Sequence, residues 1–285
     1  KFHGGINMNA VFKFIIAIIA IALLGVGLAY VVPSFLGVES FGGLVGGSVA
    51  LIKIDGAISV SGGISLNTLS TSASSNDIVA YLERAEKTSS ISAVVLEINS
   101  PGGGAVAGME IAQKIKSMDI PVIAWIRETG TSAAYIIASA CNAIVAHDFS
   151  LVGNLGTTMS YISFGHALDD YNITYNRITS GVYKDIGSPY KEATDEELEM
   201  LQKIVNEINE GALEFVRENR HQILDWDDVI TAKIYTGKEA LEAGLVDYLG
   251  TKDVLTDVVK NITGLSSVSY ISLAQQIDLW SLLTG

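Results

Sequence analysis

The chain has 285 residues, a formal net charge of −13, 49% hydrophobic residues and a mean hydropathy of +0.38. The acidic balance argues against binding to nucleic acid, because phosphates require a basic surface. A single cysteine excludes intrachain disulfides, and no spacing of His and Cys residues is typical of a metal site. We therefore expect a protein without disulfides, metal or other cofactor.

An apolar run near the N-terminus predicts a membrane anchor. Residues 14–32 carry no charge, and a helix of about 20 apolar residues crosses a bilayer core. The alternative is a cleaved signal peptide, whose apolar core usually has roughly 7–15 residues. Lys1 and Lys13 precede the run and the next basic residue is Lys53, so the positive-inside rule predicts that residues 1–13 are cytoplasmic. The rest of this single-pass protein of the cell membrane is then expected to be extracytoplasmic.

Short apolar runs alternate with helical patterns after a glycine-rich linker at 33–47, which predicts an α/β domain with a mainly parallel sheet at 48–264. The predicted strands are 49–54, 93–98, 122–126, 143–146 and 173–178. The predicted helices are 77–87, 106–118, 132–140, a long one from a capping box at Thr194 towards residue 217, 238–243 and 253–262. A Gly/Ser-rich stretch at 59–75 is predicted to be a loop, and residues 265–285 an apolar C-terminal tail.

The sequence Asn-Ser-Pro-Gly-Gly-Gly at 99–104 lies between a predicted strand and a predicted helix. A glycine-rich turn in this place exposes backbone N–H groups beside a helix N-terminus, where anions bind. An oxyanion hole is one interpretation of the turn. A phosphate cradle and an ordinary Pro-Gly turn are the alternatives.

Ser132 opens the apolar helix that follows the predicted strand at 122–126. The helix dipole favours negative charge that develops near a helix N-terminus, so a serine in this place is a candidate nucleophile. The alternative is an ordinary helix cap, which is a common position for serine.

Lys184 lies in the sequence Ser-Gly-Val-Tyr-Lys-Asp at 180–185 and is a candidate base for Ser132. A lysine acts as a base only without its proton, and burial is what lowers a lysine pKa. A solvated surface lysine is the alternative. The histidines, which are the more usual bases, belong to none of these motifs: they are His3, His147, His166 and His221. A triad of His147 and Asp148 with Ser132 is a further alternative.

Taken together, these motifs resemble those of the signal peptide peptidases of the bacterial and archaeal SppA type. The matching stretches occur in the family's order and are the glycine turn at 100–103, residues 131–135 around Ser132, residues 180–189 around Lys184 and a C-terminal segment at 235–247. The resemblance covers about residues 49–263. Four motifs in the family's order are much more specific than any one of them alone.

The resemblance implies a Clp/crotonase-like fold of repeated ββα units and a serine peptidase with a Ser-Lys dyad. In this dyad Ser132 is the nucleophile and Lys184 its base, and the backbone N–H groups of Gly103 and Ala133 form the oxyanion hole. Asn154 stands where the family commonly has a serine that helps to orient the lysine. An asparagine can still take part, because its amide oxygen accepts a hydrogen bond from an amine.

The resemblance also implies the partners of the protein. Hydrophobic peptides, such as signal-peptide remnants left in the membrane, are the implied substrates. A ring-shaped homo-oligomer is implied as well, in which neighbouring subunits can share the dyad, and we expect the tail to pack on a neighbouring subunit or near the groove. Ala133 and Ala134 replace two glycines that the family usually has, which predicts a narrower substrate groove.

Three other functions are compatible with the sequence. A related membrane protease that trims stomatin-like partners would share the chemistry and differ in its substrate. An acyl-CoA enzyme of the crotonase fold would also use backbone amides, but it needs basic residues for CoA, which this acidic chain lacks. In a catalytically silent membrane scaffold, Ser132 and Lys184 would be structural residues.

Overall fold

The computed structural model describes residues 47–65 and 70–273. The predicted anchor at 14–32, nearly all of the linker, and residues 274–285 of the tail lie outside the described residues. None of the helices in the two described ranges has both the length and the apolar composition that a membrane crossing requires.

The described strands and helices alternate along most of the chain. The strands are β1 (Gly47–Asp55), β2 (Ile58–Ser59), β3 (Gly63–Ser65), β4 (Ser70–Ser74), β5 (Ile91–Ser100), β6 (Val122–Thr131), β7 (Ala143–Ala146), β8 (Leu151–Gly153), β9 (Ile234–Thr236), β10 (Tyr248–Leu249) and β11 (Val268–Ser272). The helices are α1 (Ser75–Lys87), α2 (Ala105–Lys116), α3 (Ala133–Ser139), α4 (Gly165–Asp170), α5 (Asp195–Asn219), α6 (Trp226–Val229), α7 (Gly237–Glu242) and α8 (Lys252–Thr263).

The main sheet has the strand order β10-β7-β6-β5-β1-β11, and every pair along this path is parallel. At the carboxyl end of β6, residues Thr129, Gly130 and Thr131 pair with β8, which in turn pairs antiparallel with β9. The predicted α/β class with a mainly parallel sheet is therefore confirmed. Because β6 carries the chain into the candidate serine, this extra pairing fixes the backbone directly before it.

Both faces of the main sheet are buried, as expected for parallel strands whose crossover helices cover them. Leu96 and Ile98 of β5 face one side, in a cluster with residues of α1, α2 and α3. Val95 of the same strand faces the other side, in a cluster with Leu255 and Val259 of α8. Helix α3, which follows the candidate serine, is buried along its whole length and is held rigidly in the core.

Two predictions of secondary structure were wrong. The predicted strand at 173–178 is absent, because its β-branched residues lie away from the core: Ile178 is 97% exposed, and no described strand lies beside it. The predicted loop at 59–75 instead contains β3 and β4, which form a small sheet with β2. In addition, β11 extends the main sheet beyond the domain boundary predicted at residue 264.

A buried ion pair ties the end of α5 to the sheet. Arg220 is 3% exposed and donates from both terminal nitrogens to the Asp247 carboxylate, each at 3.0 Å. Asp247 also accepts the backbone N–H of Ile144 in β7 at 2.7 Å. Beside this pair, the hydroxyl of Tyr135 in α3 donates to the Leu245 carbonyl at 2.7 Å. The segment around Asp247 therefore joins α5, β7 and α3.

Replacing Asp247 with alanine is expected to lower the free energy of unfolding by about 3–5 kcal/mol, because it leaves the buried Arg220 charge without its carboxylate partner and with only the Gly244 carbonyl as an acceptor. Urea denaturation of the purified protein measures this change. The matched control is Asp257→Ala, because Asp257 is 74% exposed and its weak ion pair with Lys260 spans 3.9 Å, so a change below about 1 kcal/mol is expected. Equal effects of the two substitutions would contradict the assignment.

Candidate active site

Ser132 lies at the single residue between β6 and α3 and has a backbone conformation that is rare for serine. Its φ is 54° and its ψ is −126°. Conformations of this kind cost on the order of 1–3 kcal/mol and persist only where the surroundings hold them. The Ser132 N–H donates to the Gly153 carbonyl at 2.8 Å, and its carbonyl accepts the N–H groups of Tyr135 and Ile136. The turn is thus held from both sides.

The side chain of Ser132 does not cap the helix that it precedes. Ser132 is half-buried, and its hydroxyl forms no hydrogen bond with any residue in the described part of the chain. The alternative that Ser132 is an ordinary N-cap is therefore not supported, since a capping serine accepts an N–H from the first turn.

The glycine turn packs directly against the Ser132 backbone. A Cβ atom on Gly102 would lie 2.7 Å from the Ser132 Cβ and 2.9 Å from the Ala133 nitrogen, so no side chain fits there. The φ of Gly102 is 97°, which also favours glycine. The hydroxyl of Ser100 accepts the Gly102 N–H at 3.1 Å and fixes the turn internally. The glycine turn and the candidate serine therefore form one compact unit.

Gly103 is held on both sides by the short strand β2. The Ile58 N–H donates to the Gly102 carbonyl at 2.9 Å, and the Gly104 N–H donates to the Ile58 carbonyl at 2.8 Å. The N–H groups of Gly103 and Ala133 have no acceptor among the residues that the structure describes. Two free backbone donors beside Ser132 match what an oxyanion hole requires.

The alanines that follow Ser132 point into the core. Ala133 is 2% exposed and Ala134 is fully buried. A Cβ atom on Gly108 of α2 would lie 2.9 Å from the Ala133 Cβ, so the Ala133 methyl group is accommodated by a glycine in the neighbouring helix. Because both methyl groups are buried in the core, their burial does not support the expectation that they narrow a groove.

Asn154 lies directly after the carbonyl that holds Ser132 and has a φ of 49°. Its side-chain Nδ2 donates to the Ala232 carbonyl at 2.7 Å, and its backbone N–H donates to the Lys233 carbonyl at 2.8 Å. Because the amide nitrogen already donates to the Ala232 carbonyl, the amide is oriented so that its Oδ1 atom is available to accept a hydrogen bond. No described residue donates to Oδ1 in this single chain.

Lys184 is exposed, and no hydrogen bond or ion pair among the described residues joins its side chain to Ser132. Its loop is held by Arg177, which contacts the Asp185 carboxylate at 2.6 Å and donates to the Val182 carbonyl. Within a single chain, Ser132, Gly103, Ala133 and Asn154 thus lie together at the C-terminal ends of strands β5, β6 and β8. Among the described residues, Lys184 is not joined to them.

The alternative triad with His147 gains no support, and the single cysteine is buried. The His147 ring accepts the Phe149 N–H at 3.2 Å and packs on the Phe149 ring, and in the described part nothing links it to Ser132. Burial raises the pKa of the Cys141 thiol, which keeps it protonated in the core. The described residues contain no cluster of His, Cys, Asp and Glu that could hold a metal.

Replacing Gly103 with alanine is expected to reduce peptidase activity about 100-fold or more, which is the effect of losing an oxyanion donor. Its φ is 155°, and an added Cβ would lie 2.2 Å from the Ile58 carbonyl oxygen, so the turn must move. Gly104→Ala is the matched control, since an added Cβ meets its nearest atom at 3.7 Å. The measurement is the rate of peptide hydrolysis, made at a temperature at which both variants are folded. Equal activity of the two variants would contradict the role of Gly103 as an oxyanion donor.

Two elements of this site were missed in the sequence. The Gly153 carbonyl, which binds the Ser132 N–H, and the Tyr235 ring beneath Gly153 were not singled out. Both lie in stretches that the resemblance had marked, the sequence Gly-Asn-Leu-Gly at 153–156 and the segment at 235–247. The signal was therefore present, but which residues touch depends on the pairing of β8 with β9.

Comparison with known proteins shows the family of this chain. The profile described as "Peptidase family S49" matches residues 114–266, and that described as "Clp protease" matches residues 46–147. A protein of Methanocaldococcus jannaschii, provisionally named a protease, is 34% identical over 194 residues, which are 67% of this chain and 61% of that protein. A protein of Enterococcus faecium, provisionally named signal peptide peptidase SppA, is 28% identical over 199 residues, which are 68% of this chain and 58% of that protein.

Among solved structures, a mutant of the 1510-N membrane-bound stomatin-specific protease covers 81% of this chain and 100% of its own, with 17% identity and a TM-score of 0.48. The chain spans about three fifths of the length of the two curated relatives above. The S49 profile covers more than half of the 285 residues, and the resemblance to SppA-type peptidases is confirmed. The chain belongs to peptidase family S49.

Proposed function

We propose that this protein is a serine endopeptidase that cleaves hydrophobic peptides with Ser132 as nucleophile and Lys184 as base. The observation that carries the proposal is the Ser132 turn: a half-buried hydroxyl, free of partners in the described part, beside the free N–H groups of Gly103 and Ala133. Membership in a peptidase family agrees with this use of the turn.

In the proposed reaction, the Ser132 Oγ forms a bond to the peptide carbonyl carbon while its proton passes to the Lys184 Nζ. The negative oxygen of the tetrahedral intermediate accepts hydrogen bonds from Gly103 and Ala133. The carbon–nitrogen bond then breaks, and the proton on Nζ goes to the leaving amine. A water molecule, activated by the same amine, cleaves the ester in the reverse sequence and restores Ser132.

We infer that Lys184 reaches Ser132 of a neighbouring copy in a homo-oligomer. Lys184 lies in an exposed segment that we call the arm, residues 157–193, in which Gly165 is the one buried residue. The arm exposes many large apolar side chains, including Met159, Tyr161, Ile162, Phe164, Tyr171, Ile173, Tyr175, Ile178, Val182, Tyr183 and Tyr190. Exposed apolar surface of this extent is typical of a protein interface. Burial of the arm against a second copy would also remove Lys184 from water, which favours its neutral form.

Once delivered by a neighbour, the Lys184 amine would donate to the Oδ1 atom of Asn154. The bond from Asn154 Nδ2 to the Ala232 carbonyl already orients this oxygen. An amine fixed in this way keeps its lone pair available for the Ser132 proton. This is the support for Asn154 as the residue that orients the lysine.

The proposed substrates and location follow from the relatives and from the N-terminal run. One relative is named signal peptide peptidase, and another is named "Serine protease SPPA, chloroplastic", from Arabidopsis thaliana. With the predicted anchor at 14–32, the peptidase domain would meet apolar peptides at the extracytoplasmic face of the cell membrane. A membrane-bound enzyme encounters such peptides at high local concentration.

The substrate proposal is tested with two quenched fluorescent peptides of equal length, incubated with the full chain in detergent. One peptide is apolar and signal-like, and the other carries charged residues at the same positions. We expect cleavage of the apolar peptide with at least a tenfold higher kcat/KM. Equal cleavage of both would contradict the substrate class, and cleavage of neither by the assembled protein would contradict the peptidase proposal.

A further inference from the structure

The backbone that holds Ser132 packs against a tyrosine, Tyr235, through Gly153. The Gly153 carbonyl accepts the Ser132 N–H at 2.8 Å. Gly153 in turn packs closely against the Tyr235 ring, because a Cβ atom on Gly153 would lie 2.8 Å from the ring's Cδ2 atom. The φ of Gly153 is 92°, so glycine is favoured there on both counts.

Tyr235 is itself fixed in position. It is 3% exposed, pairs with Val152 in the β8–β9 ladder, and donates its hydroxyl to the Asp228 carboxylate at 2.9 Å. Asp228 is anchored by its own N–H, which donates to the Asp225 carboxylate at 3.1 Å, and it also accepts from Lys233 at 2.9 Å. Burial raises the pKa of the Tyr235 phenol, and the hydrogen bond to Asp228 raises it further, so this hydroxyl stays a donor.

We propose that Tyr235, braced by Asp228, is a positioning residue that holds the Gly153 carbonyl against the Ser132 N–H. The strained conformation at Ser132 requires its surroundings to be fixed, and the path from Asp228 through Tyr235 to Gly153 supplies a rigid contact from a different part of the chain. This inference rests on the proposed function, because it concerns the nucleophile of the proposed reaction.

Without the hydroxyl, the ring can slide on Gly153, and the Ser132 Oγ leaves its aligned position for part of the time. Small misplacements of a nucleophile lower the rate of bond formation strongly and leave the binding of the substrate unchanged. Tyr235→Phe is therefore expected to lower kcat about tenfold with KM within twofold of wild type. The second-order rate of labelling by a fluorophosphonate, which needs only the nucleophile and its base, should fall by the same factor.

A double-mutant cycle with Asp228 separates positioning from loss of stability. Asp228→Asn keeps an oxygen that accepts the tyrosine hydroxyl and should retain kcat within about threefold of wild type. Asp228→Ala should resemble Tyr235→Phe, and the double variant should be no slower than either single variant, since all three lose the bond between Tyr235 and Asp228. The control is Tyr270→Phe. Tyr270 lies in β11, and its hydroxyl bonds to Thr256 rather than to a residue of the site, so we expect its loss to leave activity unchanged.

The outcomes separate this inference from the function on which it rests. If wild type hydrolyses peptide, Ser132→Ala does not, and Tyr235→Phe has wild-type kcat and labelling rate, the positioning role is overturned and the proposed function stands. Additive losses in the cycle, or equal losses in Asp228→Asn and Asp228→Ala, also overturn it. If wild type and Ser132→Ala are equally inactive as assembled proteins, both proposals fail together.

Discussion

Ser132→Ala is expected to lower peptide hydrolysis by at least about a thousandfold, to the background rate. The reason is that Ser132 supplies the hydroxyl of the proposed nucleophile, beside the N–H groups of Gly103 and Ala133 that have no acceptor in the described part of the chain. Hydrolysis of the apolar fluorescent peptide is the measurement, with oligomer size recorded for each variant. Ser139→Ala is the matched control. Ser139 is buried in α3, the helix that follows Ser132, and its hydroxyl donates to the Ile136 carbonyl.

Lys184→Ala is expected to be equally inactive, because Lys184 is the base of the proposed reaction and no hydrogen bond in the described residues joins a histidine or another base to Ser132. Lys184→Arg should be inactive as well, since an arginine keeps its charge at all relevant pH values and cannot accept a proton. Activity of Lys184→Arg above a few per cent of wild type would show that the positive charge matters rather than the base. Activity retained in Ser132→Ala would remove the nucleophile from the account.

Mixed assemblies of Ser132→Ala chains and Lys184→Ala chains are expected to regain about a quarter of wild-type activity. If the dyad forms between neighbours in a head-to-tail ring, about one neighbouring pair in four joins an intact Ser132 to an intact Lys184. The exposure of Lys184 and of the apolar side chains of the arm is the structural reason for expecting this. Neither variant alone is expected to be active.

The mixing experiment needs differently tagged chains, co-expressed and purified through both tags. The control mixes Ser132→Ala chains with chains that carry both substitutions, in which no intact pair can form. Activity at background in verified mixed assemblies would contradict a dyad shared between chains. Activity in the control mixture, which contains no Ser132, would show that hydrolysis uses a different nucleophile.

The strands of the core could be predicted from sequence because their environment is simple. Residues 93–98 are apolar except for Glu97, half of them are β-branched, and all but Glu97 are buried, so their composition marks them as a buried strand. Residues 173–178 have the same share of β-branched residues but are more polar, and they lie in the exposed arm, where no described strand pairs with them. Local composition does not show whether a neighbouring strand is present, and this is why the second prediction was wrong.

The residues of the candidate site could be named from motifs, but their geometry could not. Nothing in the sequence around Ser132 indicates a φ of 54°, because this value results from the carbonyl of Gly153 and the packing of Gly102. The contact between Gly153 and Tyr235 joins distant parts of the chain through the β8–β9 ladder. Such contacts depend on the whole fold, so short motifs mark the residues without showing what they touch.

The most direct test of the Ser132 nucleophile is to map the site that a fluorophosphonate labels in the assembled wild-type protein. Mass spectrometry of the digested adduct should show one modified residue, Ser132, and labelling should be lost in Lys184→Ala. An adduct on a different residue, or no adduct in a preparation that hydrolyses the apolar peptide, would contradict the account.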